Sequence, residues 1–326
     1  MSRNANLSLR EAFFRSPGPR TWKHALLLVV KGMCMGAADT VPGVSGGTIA
    51  LITGIYEQLL AAVKSANAKM LGWLLRLDFK SAVAEIHIRF LLALFCGIGV
   101  AVVSLARLMN YLLHNYPQLT ASLFFGLIVA SIWVVGRQVG RWGPAAGAGF
   151  AAGTAAAFCI VGLVPAHTPE SWAFVFLSGM IAICAMILPG LSGAFILLIL
   201  GKYEFITSML KNPFEPASMG VILIFAAGCA LGLAGFSRIL KRLLDSWRNP
   251  TLAFLTGLMV GSLRKVWPWK EAVATRIIGG ELCVIQERNI LPGAADSGVL
   301  LAAGLMLAGC IAVIALEKFS ESETGD

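Results

Sequence analysis

The chain has 326 residues, of which 57% are hydrophobic and 13% are charged, and its mean hydropathy is +0.79. About a quarter of the residues of a soluble domain are charged, so this composition excludes a soluble protein and predicts a polytopic membrane protein. The net charge of +9 comes from short basic clusters between apolar runs, which is typical of cytoplasmic membrane loops rather than of a groove for nucleic acid.

The first half, residues 1–164, is predicted to begin with a basic arm and a broken apolar segment. Trp22–Ala38 and Thr48–Val63 have helical patterns, and a Pro/Gly/Ser stretch interrupts them. Each arm would be about 25 Å long, which is shorter than the roughly 30 Å hydrocarbon core. We therefore predict a re-entrant hairpin over residues 22–63, with a single broken span as the alternative.

A basic stretch and three apolar runs complete this half. In residues 64–89 the apolar side chains recur at helical spacing among lysines and arginines, which predicts an amphipathic interfacial helix. The three runs that follow are long enough to span a membrane. They are Phe90–Leu113, Leu119–Val135 and Pro144–Val164.

The second half, residues 165–326, has the same order of elements. A hairpin is predicted over residues 171–209, with its break at Leu188-Pro-Gly-Leu-Ser-Gly193, and the chain ends in an acidic tail. Residues 265–296 are predicted to form an external loop. The predicted spans of this half are Met219–Leu240, Thr251–Val266 and Ser297–Leu316.

Matched residues relate the two halves as an internal repeat. One constant offset carries the first hairpin onto the second, and a shorter offset relates the later spans. Matched Pro, Gly, Arg, Tyr and Glu are not expected from the chance similarity of apolar sequences. The pairs include Pro42 and Pro189, Ser45 and Ser192, Gly46 and Gly193, Gly54 and Gly201, Tyr56 and Tyr203, Glu57 and Glu204, Gly97 and Gly228, Arg107 and Arg238, and Gly126 and Gly257.

The number of membrane crossings decides how the halves are oriented. A re-entrant hairpin and three spans give an odd number, so the second half would be inverted relative to the first. If each break were a broken span, the repeat would be parallel. Basic clusters in the N-terminal arm and at residues 64–89, 137–141 and 241–248 predict that these segments are cytoplasmic. The predicted fold is an all-α polytopic membrane protein of two inverted repeats, each a re-entrant helical hairpin plus three transmembrane helices.

The two Pro-Gly-x-Ser-Gly turns are predicted to bind an anion. Glycine removes side-chain bulk and allows positive φ, and the N–H groups at a helix N-terminus, which carries about half a positive charge, can converge on a phosphate or carboxylate. The alternative is that these glycines only let the hairpins pack closely. The candidate phosphate-binding residues of the turns are Val44, Ser45, Gly46, Gly47, Ser192 and Gly193.

Charged residues within apolar segments are further candidates, because a charge inside a bilayer costs about 3 kcal/mol on insertion scales. Lys31 and Asp39 lie in the first hairpin and have no charged counterpart in the second. Lys31 is predicted to contact phosphate and Asp39 to couple or gate transport, with helix capping as the simpler role for Asp39. Arg107 and Arg238 suit bidentate phosphate capture, unless they only snorkel toward the interface.

Two glutamates complete the set of candidates. Glu57 and Glu204 are predicted to lie near opposite faces and to pair with Arg107 and Arg238 or to carry protons, with solvation at a helix end as the alternative. No cofactor is predicted, and isolated histidines without a CxxC pair argue against a metal site. The sequence leaves open whether protons or Na+ are coupled and whether the protein forms a homo-oligomer.

Four motifs link the chain to a known family. They are Gly36-Ala-Ala-Asp-Thr-Val-Pro-Gly-Val-Ser-Gly-Gly-Thr-Ile-Ala50, Gly54-Ile-Tyr-Glu57, Pro189-Gly-Leu-Ser-Gly193 and Gly201-Lys-Tyr-Glu204. Around them, essentially the whole chain resembles the PopT-like polyprenyl-phosphate transporters, long catalogued as domain of unknown function 368. The resemblance implies a bacterial inner-membrane flippase that returns undecaprenyl phosphate, the lipid carrier of cell-wall precursors, from the outer to the cytoplasmic leaflet.

The resemblance also implies the mode of action and the partners. The head group would bind between the two turns and pass by alternating access, and the partners would be polyprenyl phosphate and membrane lipids. The predicted topology makes the protein multi-pass, with both termini in the cytoplasm.

Two other functions are compatible with a phosphate-binding hairpin. A membrane enzyme similar to undecaprenyl-diphosphate phosphatases would share inverted hairpins and a Pro-Gly-x-Ser loop. That family carries an Arg directly after the Ser and a Glu-x-x-x-Glu pair, which phosphoryl chemistry needs. Here Gly46 and Gly193 follow the serines and the hairpins contain no such acidic pair, so an enzyme is not expected. The second alternative is an ion-coupled transporter of another anion.

Overall fold

The computed structural model of the protein describes residues 8–39, 45–65, 70, 72–73, 76, 78–166, 168–278, 281–293 and 298–324. Within these residues, five helices are long and apolar enough to cross a membrane, or up to seven spans are present if each of two sharply bent helix pairs counts as one. This architecture confirms an all-α polytopic membrane protein. A β-hairpin late in the chain is an exception to the helical structure.

The described part of the first half follows the predicted order of elements. Its helices are α1 (Leu9–Arg15), α2 (Trp22–Asp39), α3 (Gly46–Ile52), α4 (Tyr56–Ser65), α5 (Phe79–Glu85), α6 (Ile88–Asn115), α7 (Pro117–Arg137) and α8 (Pro144–Val161). Of the predicted amphipathic segment 64–89, the last residues of α4, all of α5 and the first residues of α6 are helical. Residues 66–69, 71, 74–75 and 77 of that segment lie outside the described residues.

The second half repeats the helices and adds two strands. Its elements are α9 (Trp172–Ile187), α10 (Gly193–Ile199), α11 (Tyr203–Lys211), α12 (Pro216–Ser246), α13 (Arg248–Val266), β1 (Lys270–Ile278), β2 (Glu281–Asn289) and α14 (Gly298–Thr324). The five candidate spans lie in α6, α7, α8, α12 and α14.

Each hairpin differs from the prediction in its second arm, which bends instead of continuing as one helix. The angle between α3 and α4 is 116°, and that between α10 and α11 is 111°. Gly54 and Gly201 lie at the two bends with φ of 71° and 63°, in the left-handed region that glycine adopts without strain. These glycines end the short helices, so each hairpin has one long arm and one short arm of about 10 Å.

Close helix crossings repeat between the halves. A Cβ added at Gly97 of α6 would overlap the carbonyl oxygen of Val29 in α2, and one added at Gly228 of α12 would overlap that of Phe176 in α9. The sequence repeat pairs these two glycines. The crossing of α2 with α6 is therefore equivalent to that of α9 with α12, and both bring helix backbones into contact.

A second pair of crossings joins one half to the other. Gly126 of α7 lies against the carbonyl of Met306 in α14, and Gly257 of α13 lies against that of Phe150 in α8. Each half therefore packs its last helix on the other half.

The core of the protein surrounds α13. Most of its residues from Thr251 to Ser262 are buried, and it is not among the five candidate spans although a span was predicted over Thr251–Val266. Arg248, Arg264 and Lys265 lie near its ends. These charges lower its hydropathy, and protein rather than lipid covers its middle.

The predicted external loop contains a β-hairpin, which the sequence analysis missed. Strands β1 and β2 pair antiparallel from Lys270 with Asn289 to Ile278 with Glu281. The Glu287 carboxylate accepts from the ammonium groups of Lys270 at 2.9 Å and Lys265 at 3.5 Å, which ties the hairpin to the end of α13. Gly279-Gly280 between two apolar runs is a recognised hairpin signal.

We expect Gly97→Leu to destabilise the protein, because its side chain would force α2 and α6 apart. Overpacking typically costs about 1–3 kcal/mol, and the midpoint of thermal unfolding of the purified protein in detergent would report it. Gly99→Leu is the matched control, because it lies on the same helix with nothing within 4 Å of an added Cβ. Equal midpoints for the two variants would contradict the backbone contact.

Candidate functional site

The two hairpins meet at the turns that the sequence singled out. The Ser45 Oγ lies 3.1 Å from the carbonyl oxygen of Met186 and 3.2 Å from that of Leu188, so its hydroxyl donates to this pair. In return, the N–H of Gly190 donates to the Oγ1 of Thr48 at 3.1 Å. Carbonyls at a helix C-terminus have no partner within the helix, and here the first hairpin supplies donors to the end of α9.

Two further contacts complete this hairpin junction, by which we mean Ser45, Thr48, Tyr56, Met186–Leu188 and Gly190. The buried Tyr56 hydroxyl donates to the carbonyl of Ile187 at 3.1 Å. Gly47 lies so near this carbonyl that an added Cβ would be 2.5 Å from its oxygen. The junction is therefore closely packed and its polar groups are paired with one another.

The N-terminus of α3, predicted to hold an anion, interacts with a carboxyl group of the chain itself. The N–H of Gly46 donates to Oδ1 of Asp39 at 2.7 Å, and the N–H of Gly47 donates to the Ser45 Oγ at 3.1 Å. Asp39 thus lies at the positive end of the helix dipole. Val44, whose N–H was predicted to join these donors, lies outside the described residues.

The second turn contributes differently from the first. Ser192 occupies the N-cap position of α10, but its side chain makes no capping hydrogen bond. An added Cβ at Gly193 would lie 2.8 Å from the carbonyl oxygen of Ala182, so this glycine permits close approach to α9. The two matched turns therefore have different partners in the structure.

Lys31 lies at the other end of α3. Its Nζ donates to the carbonyl oxygen of Thr53 at 3.0 Å, at the bend between α3 and α4. A cavity of 820 Å³ opens here, lined by α2, the α3–α4 bend, the start of α6, the end of α7 and one residue of α14. We call this cavity the vestibule.

In the second hairpin, the equivalent end of α10 is covered by the chain that precedes α9. The Thr168 hydroxyl donates to the carbonyl of Leu200, and the N–H of Ala166 donates to that of Ile199 at 2.9 Å. The sequence repeat pairs Thr168 with Thr21, which lines the vestibule. The chain before α9 thus covers the end of α10, whereas the chain before α2 borders an open cavity.

Lys202 secures this covered end, and the sequence analysis did not select it. Its side chain is 1% exposed, and its Nζ donates to the carbonyl of Thr168 at 2.8 Å and lies 5.6 Å from the rings of Phe174 and Phe205. Cation–π contact stabilises a desolvated ammonium group. A lysine within an apolar hairpin, where the first repeat has Ile55, was the signal that could have found it.

The remaining predicted residues lie apart from the junction. Arg107 is exposed on α6, and Arg238 donates to a carbonyl of its own helix. Glu57 pairs with Arg248 at the start of α13 rather than with the predicted Arg107 or Arg238, and Glu204 is exposed. Within the described part of the chain, the side chains of these four candidates make no hydrogen bond to the junction.

Comparisons with known proteins cover most of the chain. A family model described as VCA0040-like, undecaprenyl phosphate translocase-like, matches residues 35–281. The chain is 42% identical over 299 residues to a polyprenyl-phosphate transporter of Vibrio cholerae serotype O1, covering 90% of this chain and 96% of the relative. It is 31% identical over 275 residues to a polyprenyl-phosphate transporter of Staphylococcus aureus, covering 77% and 92%. No solved structure matches the chain.

We expect Ser45→Ala to destabilise the protein more than Ser192→Ala. The first change removes the donor to two helix-end carbonyls and the acceptor of Gly47, and an unsatisfied buried polar group costs about 1–3 kcal/mol. Ser192→Ala removes a hydroxyl that makes no capping hydrogen bond to α10. Chemical unfolding in detergent, followed by tryptophan fluorescence, measures both, and equal losses would mean that the Ser45 hydroxyl does not hold the junction.

Proposed function

We propose that this chain, which belongs to the VCA0040-like family of undecaprenyl phosphate translocase-like proteins, transports polyprenyl phosphate. Both relatives that match it carry the name polyprenyl-phosphate transporter. In the proposal, the protein lies in the bacterial cytoplasmic membrane and returns undecaprenyl phosphate from the outer to the cytoplasmic leaflet. The recovered lipid carrier then supports cell-envelope synthesis.

The observation that carries the proposal is the difference between the two equivalent hairpin ends. The end near Lys31 opens into the 820 Å³ vestibule, whereas the end near Lys202 is covered by Ala166 and Thr168. A transporter built from repeats can expose one site to each side in turn if its halves exchange conformations. We assign the open end to the cytoplasm, because Arg20, near the end of the basic N-terminal arm, and Arg137 line the vestibule.

In this proposal the predicted site residues are assigned steps of transport. The head group would meet the helix N-termini at Ser45, Gly46 and Gly47 and at Ser192 and Gly193, while the prenyl tail stays in lipid.

Charged side chains would act before and after the head group binds at the helix N-termini. Asp39 would gate by releasing Gly46 as the phosphate arrives, and Lys31 would contact the phosphate on the open side. Arg107 and Arg238 would receive it near each face, and Glu57 and Glu204 are the remaining candidates for coupling to protons or Na+.

Reconstitution of the full-length protein in liposomes tests transport directly. With a fluorescent short-chain polyprenyl phosphate in both leaflets, we expect the protein to make the inner-leaflet lipid accessible to an external quencher. Phosphate release is measured in the same vesicles and in parallel vesicles that carry the polyprenyl diphosphate, and it is expected to stay at background in both. Release of phosphate from the diphosphate would support a phosphatase-like enzyme, and uptake of a soluble anion without lipid exchange would support the other alternative.

We expect Lys202→Met to open the covered end. Methionine keeps much of the side-chain volume but cannot donate to Thr168, so the segment around Ala166 should exchange its amide hydrogens faster. Hydrogen exchange of the purified protein, read by mass spectrometry, checks this. Lys211→Met, at the exposed C-terminal end of α11, the helix that follows Lys202, is the control, and unchanged exchange in Lys202→Met would refute the closing role.

A further inference from the structure

The vestibule has a strongly basic lining. Among the described residues around it, Arg20, His24, Lys31 and Arg137 carry basic groups and Glu317 carries a carboxylate. Three of the four basic residues are arginine or lysine, against a single carboxylate. The cavity therefore has an excess of positive charge, which a phosphate monoester of charge about −1.5 to −2 would neutralise.

The basic groups are arranged by depth. Arg20, His24 and Arg137 are exposed at the rim, whereas Lys31 is half-buried and lies about 13 Å along α2 from the helix start at Trp22. Its bond to the Thr53 carbonyl directs the ammonium group to the inner end of the vestibule. An anion entering from the rim would thus pass guanidinium groups before it meets the lysine.

One face of α2 connects the vestibule to the hairpin junction. His24, Leu28 and Lys31 line the cavity at spacings of four and three residues, which puts them on the same side of α2. At the same spacing this side continues through the buried Met35 to Asp39, whose carboxyl group binds Gly46. The row of residues therefore leads from the rim to the turn that was predicted to bind phosphate.

The rest of the lining is mixed: it includes the polar residues Thr21, Thr53, Gln58 and Gln138 and an apolar part, which distinguishes possible ligands. Leu27, Leu28, Ile52, Ile55, Phe90 and Val134 form this part. A free phosphate ion would gain nothing from these side chains, but a phosphate joined to a hydrocarbon chain would bury apolar surface against them. The cavity thus combines recognition of a phosphate with recognition of a chain.

We propose that the vestibule is a binding site for a prenyl phosphate monoester on the cytoplasmic side. In this site Lys31 contacts the phosphate from within, Arg137 and Arg20 contact it from the rim, and the apolar wall holds the first isoprene units. The assignment rests on the proposed transport of polyprenyl phosphate and identifies where the head group is held in the conformation described here.

Binding of farnesyl phosphate to the full-length protein in nanodiscs tests the site. Loss of one charged hydrogen bond should weaken binding about tenfold or more, so we expect this effect for Lys31→Met and a similar one for Arg137→Gln. Arg137 is exposed at the end of α7, so its variant tests the site even if Lys31→Met fails to fold. Lys23→Gln is the control, because Lys23 is exposed on α2 but does not line the cavity.

Three outcomes would overturn the site. They are unchanged affinity in both variants, binding of inorganic phosphate as tight as that of farnesyl phosphate, and equally tight binding of phosphatidylglycerol. The second outcome would assign the cavity to a free anion and the third to anionic lipids in general.

The liposome assay separates this inference from the proposed function. If the wild-type protein moves lipid and both variants bind and move it equally well, the site is wrong and the transport proposal stands. If the wild-type protein binds farnesyl phosphate in a Lys31-dependent way but moves no lipid, the site stands and the transport proposal fails.

Discussion

The fold depends on backbone groups that the two hairpins satisfy for each other. Lipid offers no hydrogen-bond partner to the end of a broken helix, and the carbonyls of Met186 and Leu188 instead accept from Ser45, which comes from the other repeat. Neither break would be stable at membrane depth by itself. The hydrogen bonds of the hairpin junction therefore hold the two halves together.

The backbone carbonyls at the C-terminal ends of α3 and α10 also need hydrogen-bond donors, and the two repeats supply them differently. The Thr53 carbonyl accepts from Lys31, whose long side chain reaches across and leaves the vestibule open. The equivalent Leu200 carbonyl accepts from Thr168, and the backbone around that residue fills the space. The carbonyl at the end of each short helix thus accepts from a different donor, and one hairpin end is open whereas the other is covered.

The sequence predicted the five candidate spans because a span depends on local composition, whereas the span predicted over Thr251–Val266 is the buried helix α13. It did not predict the bends at Gly54 and Gly201, since the apolar pattern continues across them, or the strands that follow Lys270. The hydrogen bonds of Ser45 join residues that are 141 and 143 positions apart. The periodicity of apolar residues carries no information about contacts between residues so far apart in the chain. Matched motifs also predict equal roles, yet Tyr56 is buried at the junction whereas Tyr203 is 42% exposed.

The crossings of α7 with α14 and of α13 with α8 bear on the origin of the molecule. Each half completes its core with a helix that belongs to the other half, so a single copy would leave one seam uncovered. A half-length ancestor with this helix order would have needed to associate with a second copy of itself and trade terminal helices. Duplication and fusion would then have joined two chains that were already intertwined.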